Sequence, residues 1–522
     1  MQLARTVDGG LPPLAWCVRV TAGRADAVHG PAVVSRPDLL HDGAWAGPVA
    51  EGRPDQVLSC GSGVVRRGDV LRVVTPEVPF DRVHLVEADG ALHLSNSLPF
   101  LLAATDDALD PEHLWYRSRM RAVEHGTRLA PTHIPTRRGR RVRVLLGDLA
   151  DITDDGTVRV RHRPLASPVR DFADLRQRLS TTVAAVVANA GDEDRPSPLR
   201  PLVTMSSGYD ATAAAVLAAE AGVSEAVTML RRDEDGSLLD HPATAARVLG
   251  LDLVEVERDR WRHRTDLPEA ELAATATSLM DVTTLTLEDH LPGRLLIVGY
   301  CGDNVWSTTN HRTAPDVVQG YGDLSGRGLA EHRLRVGYAV LAPAAIDHTA
   351  HPSMLRLARS AEMAPWRVGG RYDRPVPRRI AEDAGVPRGE FATRKLAGSG
   401  RVGSSRQAYP RADVDRVGRD LEEVLTPAGV ASYTAHLRTV DVGSAQRAMR
   451  VGGALWWAYH RLDAVDHRVG ARLERLGVRG LVPRRAKARM ARWAHVHPDL
   501  TAWWPHWGVE VLRGRYRGRA PG

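Results

Sequence analysis

The sequence predicts an α/β protein: a β-rich amino-terminal region, then a parallel, doubly wound sheet, then a mainly helical carboxyl-terminal extension. Three observations carry this. Short apolar runs separated by Gly, Pro and Asp turns fill residues 1–165. From Pro201 onward, strand-like apolar runs alternate with helical stretches that end at glycine. Beyond about Pro410 the pattern turns helical and gathers Arg and Trp. At 522 residues the chain exceeds one ordinary core, and these shifts divide it at 1–165, 166–410 and 411–522.

In the first segment Ala15–Val20, Val70–Val74, Val83–Val86 and Val142–Leu146 read as strands, with one helical insertion near Pro111–Val123. A helix over Asp171–Asn189 leads into the polar loop Gly191–Pro201. Leu202–Met205 is then a short strand, Ser206–Tyr209 a loop, and Asp210–Ala221 an alanine-rich helix stopped by Gly222. Strands at Glu225–Leu230 and Leu253–Val256 flank a helix over Asp240–Leu249, and Leu295–Val298 is a later strand that opens into Gly299–Asp303. There is no repeat of fixed period.

Composition narrows the function classes. Hydrophobic content of 43% and charged content of 25% are ordinary for a globular protein. No run of 18 apolar residues occurs, so no transmembrane segment is expected. The opening MQLARTVDGGLPP lacks a signal-peptide core, which makes a cytoplasmic location the expectation. Cys17, Cys60 and Cys301 are far apart, and no H-E-x-x-H spacing appears, so neither a disulfide framework nor a structural zinc site is expected. Net charge is +7, yet only Lys395 and Lys487 are lysines, which points to an arginine-biased composition. Without an RNP, KH or helix-turn-helix signature, nucleic acid is not an expected partner.

Three segments carry chemistry. In Leu202–Ala211 (LVTMSSGYDA) a small-residue turn between strand and helix aims backbone N–H groups and a helix N-terminus at one point, which suits phosphate. The bland alternative is a tight turn capped by Ser206 or Ser207. In Val298–Trp306 (VGYCGDNVW) a strand ends in a Gly-rich turn presenting Asp303, a magnesium ligand or merely an acidic cap. In Phe391–Gly400 (FATRKLAGSG) Lys395 is a lysine in a chain that otherwise uses arginine. A compact ammonium suits phosphate or a developing oxyanion, and surface drift is the alternative.

In this order the three segments resemble the asparagine synthetase family, whose synthetase domain carries an S-G-G-x-D-S pyrophosphate loop. Ser206-Ser207-Gly208-Tyr209-Asp210-Ala211 matches at the first Ser, the second Gly and the Asp, and departs at Ser207 and Ala211. Gly299-Tyr300-Cys301-Gly302-Asp303-Asn304 is similar to the family's G-E-G-x-D-E, with both glutamates lost to Tyr300 and Asn304 and a Gly lost to Cys301. Asp240 falls where the family has its D-E pair, and Lys395 where it has a catalytic lysine. The resemblance covers 200–400 and, through Leu85–Leu102 and Arg140–Val160, extends to the later strands of the family's glutaminase domain.

This resemblance implies a glutaminase-like (Ntn-type) sandwich over 1–165 without its nucleophile. The family's Cys at position 2 is here Gln2, and Cys17 and Cys60 cannot replace it because the mechanism uses the chain's own α-amine. It further implies an ATP-pyrophosphatase domain that adenylates a carboxylate and transfers the acyl group to an amine, as relatives such as β-lactam synthetases and lasso-peptide cyclases do. ATP would be held by Ser206, Ser207, Gly208, Tyr209, Asp210, Gly299 and Gly302, and Mg²⁺ by Asp210 and Asp303, with Lys395 catalytic. The partners would be a small-molecule or peptide carboxylate and an amine donor. The rival readings are a degenerate partner subunit or binding module, prompted by Ala211, Tyr300 and Asn304, and a nucleic-acid-modifying relative, prompted by the basic charge. For the Arg/Trp-rich tail (Trp456, Trp457, Trp493, Trp503, Trp504, Trp507) the expectation is a packed helical subdomain rather than a membrane-interface patch.

Overall fold

Alternating apolar and polar residues over the first third of the chain build two large sheets, beside a short ribbon that pairs Ala44–Trp45 with Ser59–Cys60. The computed structural model describes residues 1–77, 80–114, 116–121, 133–276, 279–308, 326–370, 372–391, 424–440 and 500–521, with Leu421 and Ala458. The first sheet runs, in spatial order, Gln2–Val7, Arg24–His29, Trp16–Thr21, Ala91–Ser95, Val83–Ala88, Arg141–Leu145 and His133–Pro135. All its pairings are antiparallel except the first. The second runs Val158–Arg161, Leu149–Ile152, Val70–Val74, Gly63–Arg67, Leu39–His41 and Val34–Arg36. Trp16, Val18, Leu85 and Leu94 from the first meet Leu40, Val64, Leu71, Val73 and Ile152 from the second in one shared core.

A third sheet is built mainly from parallel strands. Its members are β1 (Arg200–Thr204), β2 (Glu225–Arg232), β3 (Leu238–Asp240), β4 (Asp252–Glu257), β5 (Arg294–Ile297) and β6 (Ala339–Leu341). Parallel pairings give the order β4-β2-β1-β5-β6, and β3 adds antiparallel to β2. Helix α1 (Phe172–Ala190) begins at Asp171, whose carboxylate caps the Asp174 N–H at 2.8 Å. Helix α2 (Tyr209–Glu220) follows β1. Its Thr212–Ala218 stretch is buried on all sides, and the alanines let it lie close to both the sheet and α1. Three further helices matter to the site: α3 (Gly302–Val305), α4 (Ala330–Val336) and α5 (Pro375–Asp383). The whole is a mixed α/β fold with several sheets, one of them largely parallel.

The expected strands over 1–165 and the expected elements from Asp171 to Val298 are present to within a few residues, with one exception. Asp240 ends β3 rather than opening a helix, and the next helix starts at Ala243. The reason is a hairpin: Asp233 accepts from Gly236 N–H and donates to Ser237 O, with Gly236 at φ 87°. Helix Leu98–Ala104, started by Ser97 Oγ accepting from Phe100 N–H, lay outside the expected pattern, whereas Tyr116–Arg121 falls inside the expected insertion. In the carboxyl-terminal segment Trp503, Trp504 and Trp507 are buried among Leu272, Val282 and Tyr433, so these three are core residues. Trp456, Trp457, Trp493 and Lys487 lie outside the described residues. No described helix is long and apolar enough to cross a membrane.

Candidate functional site

The loops that leave β1 and β5 emerge side by side, because the two strands pair in register from Arg200–Arg294 to Val203–Ile297. Strand order reverses at this point: β2 and β4 lie to one side, β6 to the other. In open α/β sheets such a reversal opens a crevice outside the carboxyl ends of the strands. Both loops singled out in the sequence sit there.

The first loop leads into α2 through Gly208, which has no side-chain cap. Its amides are partly satisfied from within. Ser207 N–H donates to Asp240 Oδ1 at 2.6 Å, and Gly208 N–H to Ser206 Oγ at 3.2 Å. Thr212 Oγ1 donates to the Gly208 carbonyl at 3.1 Å and holds the loop on the first turn of the helix. Asp240 thus delivers an anion to an amide at the helix N-terminus, the position where phosphate was expected.

The second loop packs hard against the first. A β-carbon on Gly302 would lie 2.3 Å from Asp210 Cγ, and one on Gly299 would lie 2.6 Å from Ala211 N. Glycine at both positions lets the loops close on each other, so their role is close approach. Between them Cys301 adopts the left-handed conformation at φ 68°, where the resembling family has Gly. Its buried side chain joins the core of the parallel sheet.

The contact between loops brings Asp210 and Asp303 to one cation, Arg374, at the start of α5. Its Nη1 pairs with Asp210 Oδ2, and its Nη2 lies 3.9 Å from Asp303 Oδ2. The guanidinium also stacks over Tyr372, 4.7 Å from the ring centre. Tyr372 packs on Tyr209 at 4.9 Å, and Tyr209 on Phe391 at 5.1 Å. Burial, with Asp210 adding to it, pushes the Tyr372 hydroxyl up to about 12, so it stays protonated.

Ser206, Ser207, Gly208, Tyr209, Asp210, Gly299, Gly302 and Asp303 therefore converge on one crevice. Lys395 lies outside the described residues, though Phe391, four positions earlier, touches Tyr209. Sequence reasoning missed Arg374 and Tyr372. The available signal was weak, an Arg directly before a proline-started helix in a chain full of arginine.

The two carboxylates suit Mg²⁺ in kind, since that ion takes one or two carboxylates and fills its other positions with water and phosphate oxygens. Among the described residues no cluster of three or more His, Cys, Asp or Glu offers a fully protein-built cage. Arg374 occupies the place between Asp210 and Asp303, so a metal ion and this guanidinium compete for the same oxygens.

The amino-terminal half holds a second polar cluster. Asp42, fully buried, accepts from Trp16 Nε1 at 3.0 Å, Ser62 Oγ at 2.6 Å, Asn96 Nδ2 at 2.8 Å and Arg333 Nη2 at 3.0 Å. Arg333, on α4, also reaches Asp81 at 3.0 Å. Burial alone would raise the Asp42 carboxyl, but Arg333 and the other donors hold it below its ordinary value. Beside it, Gly43 N–H donates to His41 Nδ1 at 3.1 Å, so Nε2 carries the proton and donates to Ser59 Oγ at 2.8 Å. His41 has no lone pair facing Ser59 and cannot act on it as a base. Cys60 is buried, its thiol pushed up to about 12 by burial, and burial raises Cys17 as well, so neither is a ready thiolate. Gln2 lies in the first strand, and the Met1 amino group is 3.3 Å from Asp154. No family model matches the chain, and no curated protein matches it.

Proposed function

We propose that this protein is an ATP-dependent carbon–nitrogen ligase of the AMP-forming kind, similar to asparagine synthetase but without glutamine hydrolysis. It would adenylate a small-molecule or peptide carboxylate, release pyrophosphate and pass the acyl group to an amine. In this reading the parallel sheet is a doubly wound nucleotide-binding domain over 166–410. The observation that supports it is the meeting of the Ser206–Asp210 and Gly299–Asp303 loops at the carboxyl ends of β1 and β5, where strand order reverses.

The residues divide the work. Gly208 N–H, freed from Ser206 Oγ, and Ser207 N–H, freed from Asp240, would bind phosphate oxygens at the start of α2. Arg374 would exchange the Asp210 carboxylate for a phosphate, a forked donor moving between two forked acceptors. Asp210 and Asp303 would then hold Mg²⁺, which when bound neutralises phosphate charge. Tyr209 and Tyr372 wall the crevice and exclude water. Lys395 would stabilise negative charge at the reacting carboxylate. The amino-terminal sheets, with Gln2 at their start, take no part in this chemistry, and the amine comes from the substrate or from solution.

One observation favours a second reading. Asp240 and Arg374 already satisfy the groups that a nucleotide would use, as a retired site acting only as a binding module would show. Pyrophosphate release separates the two. With a pool of amino-acid and peptide carboxylates, carboxylate-dependent release that falls at least about a hundredfold in Lys395→Arg supports the ligase. Release that is absent supports the binding module, and release unchanged in that variant keeps the ligase but removes the role of Lys395.

A further inference from the structure

A second site lies far from this crevice, between the two amino-terminal sheets. Strand Arg141–Leu145 reads R-V-R-V-L, and its pleat sends alternate side chains to opposite faces. Val142 and Val144 take the outer face, buried against Leu101, Leu102, Val509 and Leu512. Arg141 and Arg143 are therefore left on the inner face, the one that meets the second sheet. Their neighbours confirm it: Arg143 pairs across strands with Leu85, a member of the shared core, and with His133 on the other side.

An inner sheet face is normally apolar, and a charge placed there normally has a partner. Among the described residues these two have none, with Arg143 half-buried and Arg141 reaching solvent. Arg140, next in line, is held by Asp89 and the Thr105 carbonyl, but among the described residues neither the Arg141 nor the Arg143 side chain makes a hydrogen bond or an ion pair. Glu87, a carboxylate that lines the same cleft, forms no ion pair with either among the described residues. Between the sheets at this end is a cleft of about 550 Å³, with Leu85 and Leu92 as an apolar floor and Thr157 and Val158 of the second sheet as its far wall. The guanidinium charges and His133 line its mouth, and both arginines depress the imidazole, after burial, below its ordinary value.

The volume falls in the range of small-molecule sites, which pair an apolar lining with a few placed polar groups. Two unpaired forked donors over an apolar floor select a carboxylate or phosphate carried on an apolar body. We propose that this inter-sheet cleft binds a small amphiphilic organic anion, its charged head between Arg141 and Arg143 and its apolar part on Leu85 and Leu92. This site is independent of the ligase reading, shares no residue with it and stands if that reading fails.

The test is calorimetric titration of the full chain with sodium octanoate, n-octanol and inorganic phosphate. Octanoate should bind, with n-octanol and phosphate each at least about tenfold weaker, because each lacks one of the two features recognised. Arg141→Gln with Arg143→Gln should weaken octanoate at least about tenfold. Val158→Glu, which places a carboxylate opposite the arginines, should abolish octanoate binding and raise the melting temperature. Failure of octanoate to bind, equal binding by the arginine double variant, or phosphate binding as tightly as octanoate would each overturn the proposal.

Discussion

Replacing Arg374 by Met keeps the length of the side chain and removes its charge. Arg374 is 8% exposed and its partners Asp210 and Asp303 are 14% and 18% exposed, so the ion pairs are largely shielded from water. Removing one partner of a fully buried pair costs about 3–5 kcal/mol, and an exposed pair contributes about 0–1 kcal/mol. The partial exposure of both carboxylates places this cluster between, at roughly 2 kcal/mol, and the lost stacking on Tyr372 adds about 0.5–1 kcal/mol. Arg374→Met should therefore lower stability by about 3 kcal/mol in urea unfolding. The same change removes the Arg374 charge from beside two carboxylates. Magnesium should then stabilise the variant, by about 2.7 kcal/mol at a hundred times its dissociation constant, and leave the wild type almost unmoved. A variant as stable as wild type, or an equal response of both proteins to magnesium, would refute the claim that Arg374 and a metal ion compete for Asp210 and Asp303.

Other outcomes follow from the same structure. Gly302→Ala sets a β-carbon 2.3 Å from Asp210 Cγ, so it should cost about 1–3 kcal/mol in urea unfolding, and a cost below that range would show that the loops are not in contact. Arg333→Met strands the buried Asp42 and Asp81 and should cost about 3–5 kcal/mol, most of it regained on adding Asp42→Asn and Asp81→Asn; no recovery would assign the loss to packing. Burial holds His41, His348, His351 and His506 down to about 4 and His84 to about 3, all neutral in the fold. From pH 6.5 to about 4 the unfolded chain then binds more protons, so stability must fall on acidification, by up to about 1.4 kcal/mol per pH unit for each histidine. Greater stability at pH 4.5 than at pH 7 would contradict it.

Much of this molecule was legible in its sequence where one physical rule dominates locally. The alanine-rich run after Gly208 reads as a buried helix because small residues and a stop at Gly222 leave little alternative, and it is one. Gly299 and Gly302 stood out as glycines in a turn, although their reason, contact with Asp210 and Ala211 from another loop, is tertiary. Strand β6 passed unnoticed because Ala339–Leu341 sits in an Ala-rich stretch with no period of its own and is a strand only through pairing with β5. Arg374 was hidden for a different reason. Its partners lie 164 and 71 positions earlier in the chain, and arginine is so common here that residue type marks nothing. The inward-facing Arg141 and Arg143 were equally hidden, since an alternating R-V-R-V strand reads as valine-in and arginine-out until two sheets and a helix claim its two faces.

The central claim is that the crevice between β1 and β5 binds ATP with magnesium. Calorimetric titration of ATP–Mg²⁺ into wild type and Asp210→Asn tests it without knowledge of the acyl substrate. The account predicts binding by the wild type that depends on magnesium and weakens at least about tenfold in the variant. No binding by the wild type, with and without a pool of carboxylates, or equal binding by both proteins, would contradict it.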